Sequence, residues 1–249
     1  MILAGLGKST AYSLYQILWH VIDLVYPPTC IGCGEINQRL CSTCLREIQF
    51  IEGDLCPICG EPSNKGRICS SCRANPPYYR NLRGIAHYSG PVRESIIKLK
   101  YESDYGLAEE LAKLLIAGIK KLDWDIHLVT SVPLNKTKIR ERGYNQADLL
   151  ARPIAYAFSI PFRPDAIFRI KNTRSQVGLS SSDRIENLKD AFRADSGIVK
   201  NKNVLIVDDV TTTGTTINEC ARAMVASGAV NVYGMTLARP LHENPGNEL

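Results

Sequence analysis

Long apolar runs are missing from this sequence, and so are the marks of an export signal. No stretch reaches the roughly 20 consecutive apolar residues that a helix needs to cross a bilayer, so integral membrane association is not expected. Lys8 is the only early cation, and His20 and Asp23 interrupt the apolar stretch that a signal peptide would keep unbroken. A reducing cytoplasm is the expected compartment. Charge of one sign is scarce as well: the net charge is +5 and 22% of residues are charged, which points away from disorder and toward an ordinary globular chain.

What is present is an apolar content of 45%. Over 249 residues this suffices to bury roughly 70% of the unfolded surface or more, as one domain of ordinary size with a small module attached. Residues 1–25 carry an apolar helical pattern with Leu14, Ile17, Leu18, Val21, Ile22 and Val25 on one side, which predicts an amphipathic helix packed on its own protein. Basic residues are unevenly placed. Positions 131–184 hold ten Lys or Arg against four acids, so the rest of the chain is close to neutral.

Eight of the nine cysteines form four pairs: Cys30 and Cys33, Cys41 and Cys44, Cys56 and Cys59, Cys69 and Cys72. Two intervening residues let both thiolates of a pair face one tetrahedral ion, so four pairs supply two closed, structural sets of sulfur ligands for Zn2+. Gly34 and Gly60 follow two of the pairs where a knuckle turn requires a permissive backbone. The spacing predicts a double zinc ribbon over 26–77 and leaves open whether each site takes consecutive pairs or exchanges them in a cross-brace. Disulfides are the competing use of these residues, and the expected compartment argues against them. Cys220, at an apolar helical position, reads as core. Pro76-Pro77 marks a linker, and a second domain, 78–249, opens with a strand-like run from Tyr79.

That domain is organised around residues 204–216. Val204-Leu205-Ile206-Val207 predicts a strand buried on both faces in the middle of a parallel sheet, with Asp208 and Asp209 at its carboxyl end. Thr211, Thr212, Thr213, Gly214 and Thr215 then form a hydroxyl-rich loop, and Ile217, Cys220 and Met224 continue at helical spacing until Gly228. In open α/β sheets ligands bind beyond the carboxyl ends of strands, and a helix start offers unpaired N–H groups to a phosphate. Paired carboxylates accept from a vicinal diol, or hold Mg2+ through it. A diol beside a phosphate describes a ribose 5-phosphate. A second buried strand, over Ile126 to Pro133 and ending in a turn, leads into Lys136, Lys138, Arg140 and Arg142, a cationic loop placed to hold pyrophosphate. Lys100 ends an earlier helix within Lys98-Leu99-Lys100-Tyr101, and residues 169–192 read as a mobile loop running into a short helix near Ser182.

The stretch 204–216 resembles the phosphoribosyl pyrophosphate (PRPP) signature of type I phosphoribosyltransferases. Joined to the cysteine pairs, the Lys98–Tyr101 segment, Arg142-Gly143-Tyr144-Asn145-Gln146, and Arg169, Thr173, Gln176, Leu179, Arg184, Asn187, Ala191 and Phe192, it makes nearly the whole chain resemble the ComF family. These are competence-associated proteins with a zinc-binding head and a phosphoribosyltransferase domain. The resemblance implies an α/β fold, a type I phosphoribosyltransferase-like parallel sheet flanked by helices, behind a small N-terminal zinc-ribbon module of two four-cysteine sites. It implies PRPP, with Mg2+, held by Asp208, Asp209, Thr211, Thr212, Thr213, Gly214, Thr215, Ser131, Lys136 and Lys100. It further implies transfer of phosphoribose to an unidentified acceptor, with Asp208, Asp209, Arg140 and Arg142 catalytic.

Two departures narrow the chemistry. Thr212 stands where purine salvage enzymes of this superfamily carry an acid for the base's proton, which argues against a purine acceptor of that sort. Ile2 stands where amidophosphoribosyltransferases have a cysteine nucleophile, so glutamine-dependent ammonia release is not expected. The alternative function is a non-catalytic, PRPP-sensing regulatory or single-stranded DNA-binding protein of the DNA-uptake machinery. Expected partners are PRPP, single-stranded DNA and a protein of that machinery; the basic surface does not separate the first two, both being polyanions.

Overall fold

A computed structural model describes residues 10–25, 27–102, 104–171 and 186–240. At its centre lies a four-stranded parallel sheet in the order β1 (Asn81–His87), β6 (Asn231–Arg239), β5 (Asn203–Val210), β2 (Leu128–Ser131). A separate antiparallel pair is formed by β3 (Ile167–Arg169) and β4 (Phe192–Ala194). The apolar run of β5 is continuous because both its faces are covered. Leu205 and Val207 enter one core with α5 (Tyr105–Ile119) and α7 (Gln146–Phe158), whereas Val204 and Ile206 enter a second core with α8 (Thr215–Ala226). Gly234 sets how closely that second layer approaches: a Cβ there would lie 2.7 Å from Leu82 Cδ1 and 2.8 Å from Ile217 Cγ2.

The cysteine module repeats one plan twice. Cys30 and Cys56 each accept the N–H of the glycine four residues on, Gly34 and Gly60, both in the left-handed region at φ 78° and 72°. The second pair of each unit opens a short helix, α2 (Ser42–Arg46) after Cys41 and α3 (Ser70–Ala74) after Cys69. The module also pairs with the outer edge of β1. Leu82 N donates to Ile58 O at 2.7 Å, Ile51 N to Ile85 O at 2.9 Å and His87 N to Gln49 O at 2.8 Å, so an otherwise open sheet edge is covered. Arg239, 3% exposed at the end of β6, adds a hydrogen bond to Cys59 O and an ion pair with Glu61.

Two expectations change. Helix α1 (Thr10–Val25) does not dock by the expected apolar side: Leu14, Ile17 and Leu18 are 62%, 58% and 56% exposed. It docks by Tyr12 and Gln16, which bond the buried carboxyl of Glu109 on α5, by Tyr15 against Tyr156, and by Asp23 paired with Arg39 at 2.6 Å. A buried carboxyl must find donors, and that need outweighs the apolar stripe in choosing the face. The expected cationic loop after β2 is instead a helix, α6 (Lys136–Arg142), capped by Asn135 accepting from Thr137 N and stopped by Gly143 at φ 81°. Of the loop and short helix expected over 169–192, residues 172–185 lie outside the described residues, and the two ends, Arg169 and Phe192, belong to β3 and β4. No helix among the described residues is long and apolar enough to cross a membrane.

Candidate functional site

Parallel pairing brings the carboxyl ends of β2, β5 and β6 to one side of the sheet. Beyond β5 lies a cavity of about 260 Å³ lined by Lys100, Asp208 and the unbroken run Val210–Ile217. Gly214 precedes α8 at φ 78° and has no side chain with which to cap it, so the positive end of the helix faces the cavity with no side-chain cap across it. The hydroxyls of Thr213 and Thr215 lie 2.7 Å apart at the same turn. Thr211 contributes differently, since its N–H is committed to Ala238 O at 3.0 Å.

Strand alternation divides the two acids. Asp208 lies on the α8 side, in the cavity wall, while Asp209, 5% exposed in its side chain, turns toward α7 and accepts from Gln146 Nε2 at 3.3 Å. Lys100, in the last turn of α4 (Gly90–Tyr101), forms an ion pair with Asp209. Burial opposes the Lys100 ammonium, yet Asp209 outweighs it and holds the lysine above its usual range. Burial likewise opposes ionisation of Asp209, and Lys100 overcomes it, keeping this carboxyl below the ordinary range. Asp208 has the opposite fate: burial, then the charge on Asp209, push it well up. Two carboxyls share one ammonium, so the charge settles on Asp209 and Asp208 resists ionisation beside it.

Around the mouth the sign reverses. Arg142 donates to Gln146 Oε1 and its Cζ lies 5.4 Å from the ring centre of Tyr101. Burial first, then Arg142, Lys100 and Arg169, lower the affinity of Lys138 for its proton, so three cations act on this lysine. Arg169 at the end of β3 is itself lowered by burial, with Asp208 acting against that shift. Such crowding is relieved by an anion.

Of the residues expected at the site, Lys100, Asp208, Thr211, Thr212, Thr213, Gly214 and Thr215 share the cavity wall, and Asp209 and Arg142 join it through Lys100 and Gln146. Ser131 does not enter the wall: it is 2% exposed and gives its hydroxyl to Asp148, while Asn145 Nδ2 donates to the same carboxyl at 3.1 Å and to Val132 O at 3.0 Å. Lys136 and Arg140 are exposed on α6 and also lie outside the wall. The residues that sequence reasoning did not assign to the site are Gln146 and Arg169. Arg169 stood within a recognised basic stretch, but nothing in the sequence indicates which cation of a run is half-buried.

The eight sulfurs fall into two groups, Cys30, Cys33, Cys41 and Cys44, and Cys56, Cys59, Cys69 and Cys72, each with its sulfur atoms within 4.8 Å of one another. Consecutive pairs therefore meet, and the cross-brace is not formed. A Zn–S bond of about 2.3 Å places tetrahedral sulfurs roughly 3.8 Å apart. Cys33 to Cys41 and Cys59 to Cys69 both measure 3.7 Å. Backbone N–H groups of Cys41 and Cys69 point at the sulfurs of Cys30 and Cys56 at 3.4 Å, as thiolate ligands require. Both groups fit zinc.

Comparison with known proteins agrees with this architecture. A double zinc ribbon domain matches residues 21–73 and a phosphoribosyl transferase domain matches residues 145–244. Sheet, cavity and sulfur clusters thus define a class: a phosphoribosyltransferase-fold protein carrying a double zinc ribbon. The chain is 33% identical over 208 residues to DNA utilization protein YhgH of Escherichia coli (strain K12), covering 81% of this chain and 91% of the relative. It is 33% identical over 227 residues to Competence protein F of Haemophilus influenzae, covering 84% and 96%, and 25% identical over 234 residues to Competence protein ComFC of Bacillus subtilis, covering 90% of each. The chain belongs to the ComF family.

Proposed function

We propose that the cavity beyond β5 binds PRPP with Mg2+ and that the protein transfers phosphoribose from it to an acceptor used in DNA uptake. The observation that carries this reading is the joint presence, in one cavity, of a helix start with no side-chain cap, a hydroxylated loop, and Asp208 beside Lys100. The loop amides and threonine hydroxyls would take the 5-phosphate. Asp208 would accept from the ribose hydroxyls, and Asp209 would hold Lys100 in place. Mg2+ on the pyrophosphate would neutralise part of the leaving group's charge. As the bond from C1 to pyrophosphate opens, positive charge develops on the sugar and negative charge on the departing group. Lys138, Arg142 and Arg169 would stabilise that negative charge. Thr212 offers a hydroxyl and no acid, so the acceptor must manage its own proton or lose none to this position.

Calorimetry tests the site. Asp208→Asn together with Asp209→Asn should abolish Mg2+-dependent PRPP binding, and undiminished affinity would remove the assignment. Incubation with PRPP, Mg2+ and a panel of nucleobases, amines and single-stranded DNA then tests turnover through pyrophosphate release.

The second reading, a PRPP-sensing protein that handles single-stranded DNA without transfer, is favoured by the outward placement of Lys136 and Arg140 and by relatives named for competence and DNA utilization. PRPP binding without turnover, with DNA affinity that falls steeply as salt rises and drops on charge reversal at Arg140, would select it.

A further inference from the structure

The second cysteine group is built into the support of the phosphate loop, and the first is not. From Cys72 in α3 the chain runs six residues to Tyr78, whose N–H donates to Asn218 Oδ1 at 2.7 Å in the first turns of α8. Tyr79, 5% exposed, belongs to the same apolar cluster as Cys56, Cys59, Cys72, Leu82 and Ile217. Its hydroxyl lies 3.2 Å from where a Cβ on Gly214 would stand, and Leu82 Cδ2 lies at 3.1 Å. The other side of this segment is gripped by the second knuckle: Asn81 Nδ2 donates to Pro57 O at 2.7 Å and Leu82 N to Ile58 O at 2.7 Å. Cys30, Cys41 and Cys44 form a cluster of their own with Leu40.

We propose that Tyr79 is a positioning residue through which the metal state of the Cys56, Cys59, Cys69, Cys72 site sets the shape of the loop 211–216, and with it that loop's affinity for a phosphate. The inference rests on the reading of that loop as the phosphate binder. Gly214 sits in a left-handed conformation with Tyr79 and Leu82 against it, so the loop keeps its curvature only while that wall stays in place. A zinc knuckle holds its fold through the metal. Losing the ion from the second group releases Pro57 and Ile58, then the segment 78–82, then the backing of Gly214. Losing it from the first group reaches none of these contacts. Linkage makes the effect reciprocal: a ligand on the loop must tighten the second zinc by the factor by which that zinc tightens the ligand.

The test uses the full zinc-loaded chain. Amide hydrogen exchange across 211–218 is compared between Cys69→Ser and Cys33→Ser, with the β5 amides 204–207 as the internal reference for a folded sheet. Exchange in 211–218 should rise at least about fivefold, the lower end of ordinary coupling between sites, in Cys69→Ser and stay at the native rate in Cys33→Ser. Equal exchange in the two variants would overturn the proposal. Should Cys69→Ser also lose the β5 reference, Asn218→Ala decides, because it keeps all eight sulfurs: faster loop exchange with two zinc ions retained supports the linkage, and native exchange refutes it. In the native chain, saturating PRPP should slow release of one zinc ion to a chromogenic chelator and leave the other unchanged. If PRPP fails to bind, the functional reading falls, while the exchange comparison still judges the coupling.

Discussion

Lys100 and Asp209 show how a single pair can be both a site and a liability. With side chains 24% and 5% exposed, each is sheltered enough that its charge depends on the other. Lys100→Met should lower stability by about 2 kcal/mol, less than a fully buried pair because the lysine keeps some water, and Lys100→Met with Asp209→Asn should regain most of it. Urea midpoints measure both. The pH dependence has a defined sign. Asp209 is held below its ordinary range, so its contribution is present above the unfolded value of about 4 and is lost as pH falls through the folded value. The Lys100→Met chain should therefore lose less stability on acidification than the native one.

At the scale of elements, α1 shows that an apolar stripe does not choose its own partner. Burial pushes the Glu109 carboxyl up, and Gln16, Lys113 and Tyr12 only partly oppose it, with Glu110 adding to the shift. A carboxyl raised on folding gives stability that is complete below about 4.3 and is lost as pH rises through the folded value. Glu109→Gln should flatten that slope, so that the denaturation midpoint at pH 8 matches or exceeds that of the native chain. On the same helix Ile17→Ser should change stability by no more than about 0.5 kcal/mol, since Ile17 is 58% exposed. Tyr12→Ala, at a site 2% exposed, should cost about 3 kcal/mol. The reverse order would mean that the apolar stripe is the docked face.

Over the whole molecule the zinc ribbon acts as the missing neighbour of β1. Elemental analysis should find two zinc ions per chain, one for each sulfur group. Chelation should then do more than unfold the head: the partners of β1 at Gln49, Ile51 and Ile58 depart with it, exposing a sheet edge. Loss of hydrogen-exchange protection at Ile51, Leu82 and His87, together with a lower melting temperature of the phosphoribosyltransferase part, is the expected outcome. A ribbon that melts away while that part keeps its native melting temperature would contradict it.

By itself the sequence determined the pieces whose physics is local. Cysteines two residues apart must share an ion, four β-branched and aliphatic residues must lie inside a sheet, and a Thr-Gly-Thr turn ahead of an apolar helix must open its amides, because backbone geometry links positions only a few residues apart. Helix α6, capped by Asn135 and stopped by Gly143, was not legible, because the density of charge between them suggests a loop. Only the tertiary structure decided which pairs share an ion, which side of α1 is covered, and that Lys100 and Gln146 meet at Asp209. Those outcomes depend on which distant surfaces come into contact, and the free energy of such contacts belongs to the packed whole, with no spacing along the chain to record it.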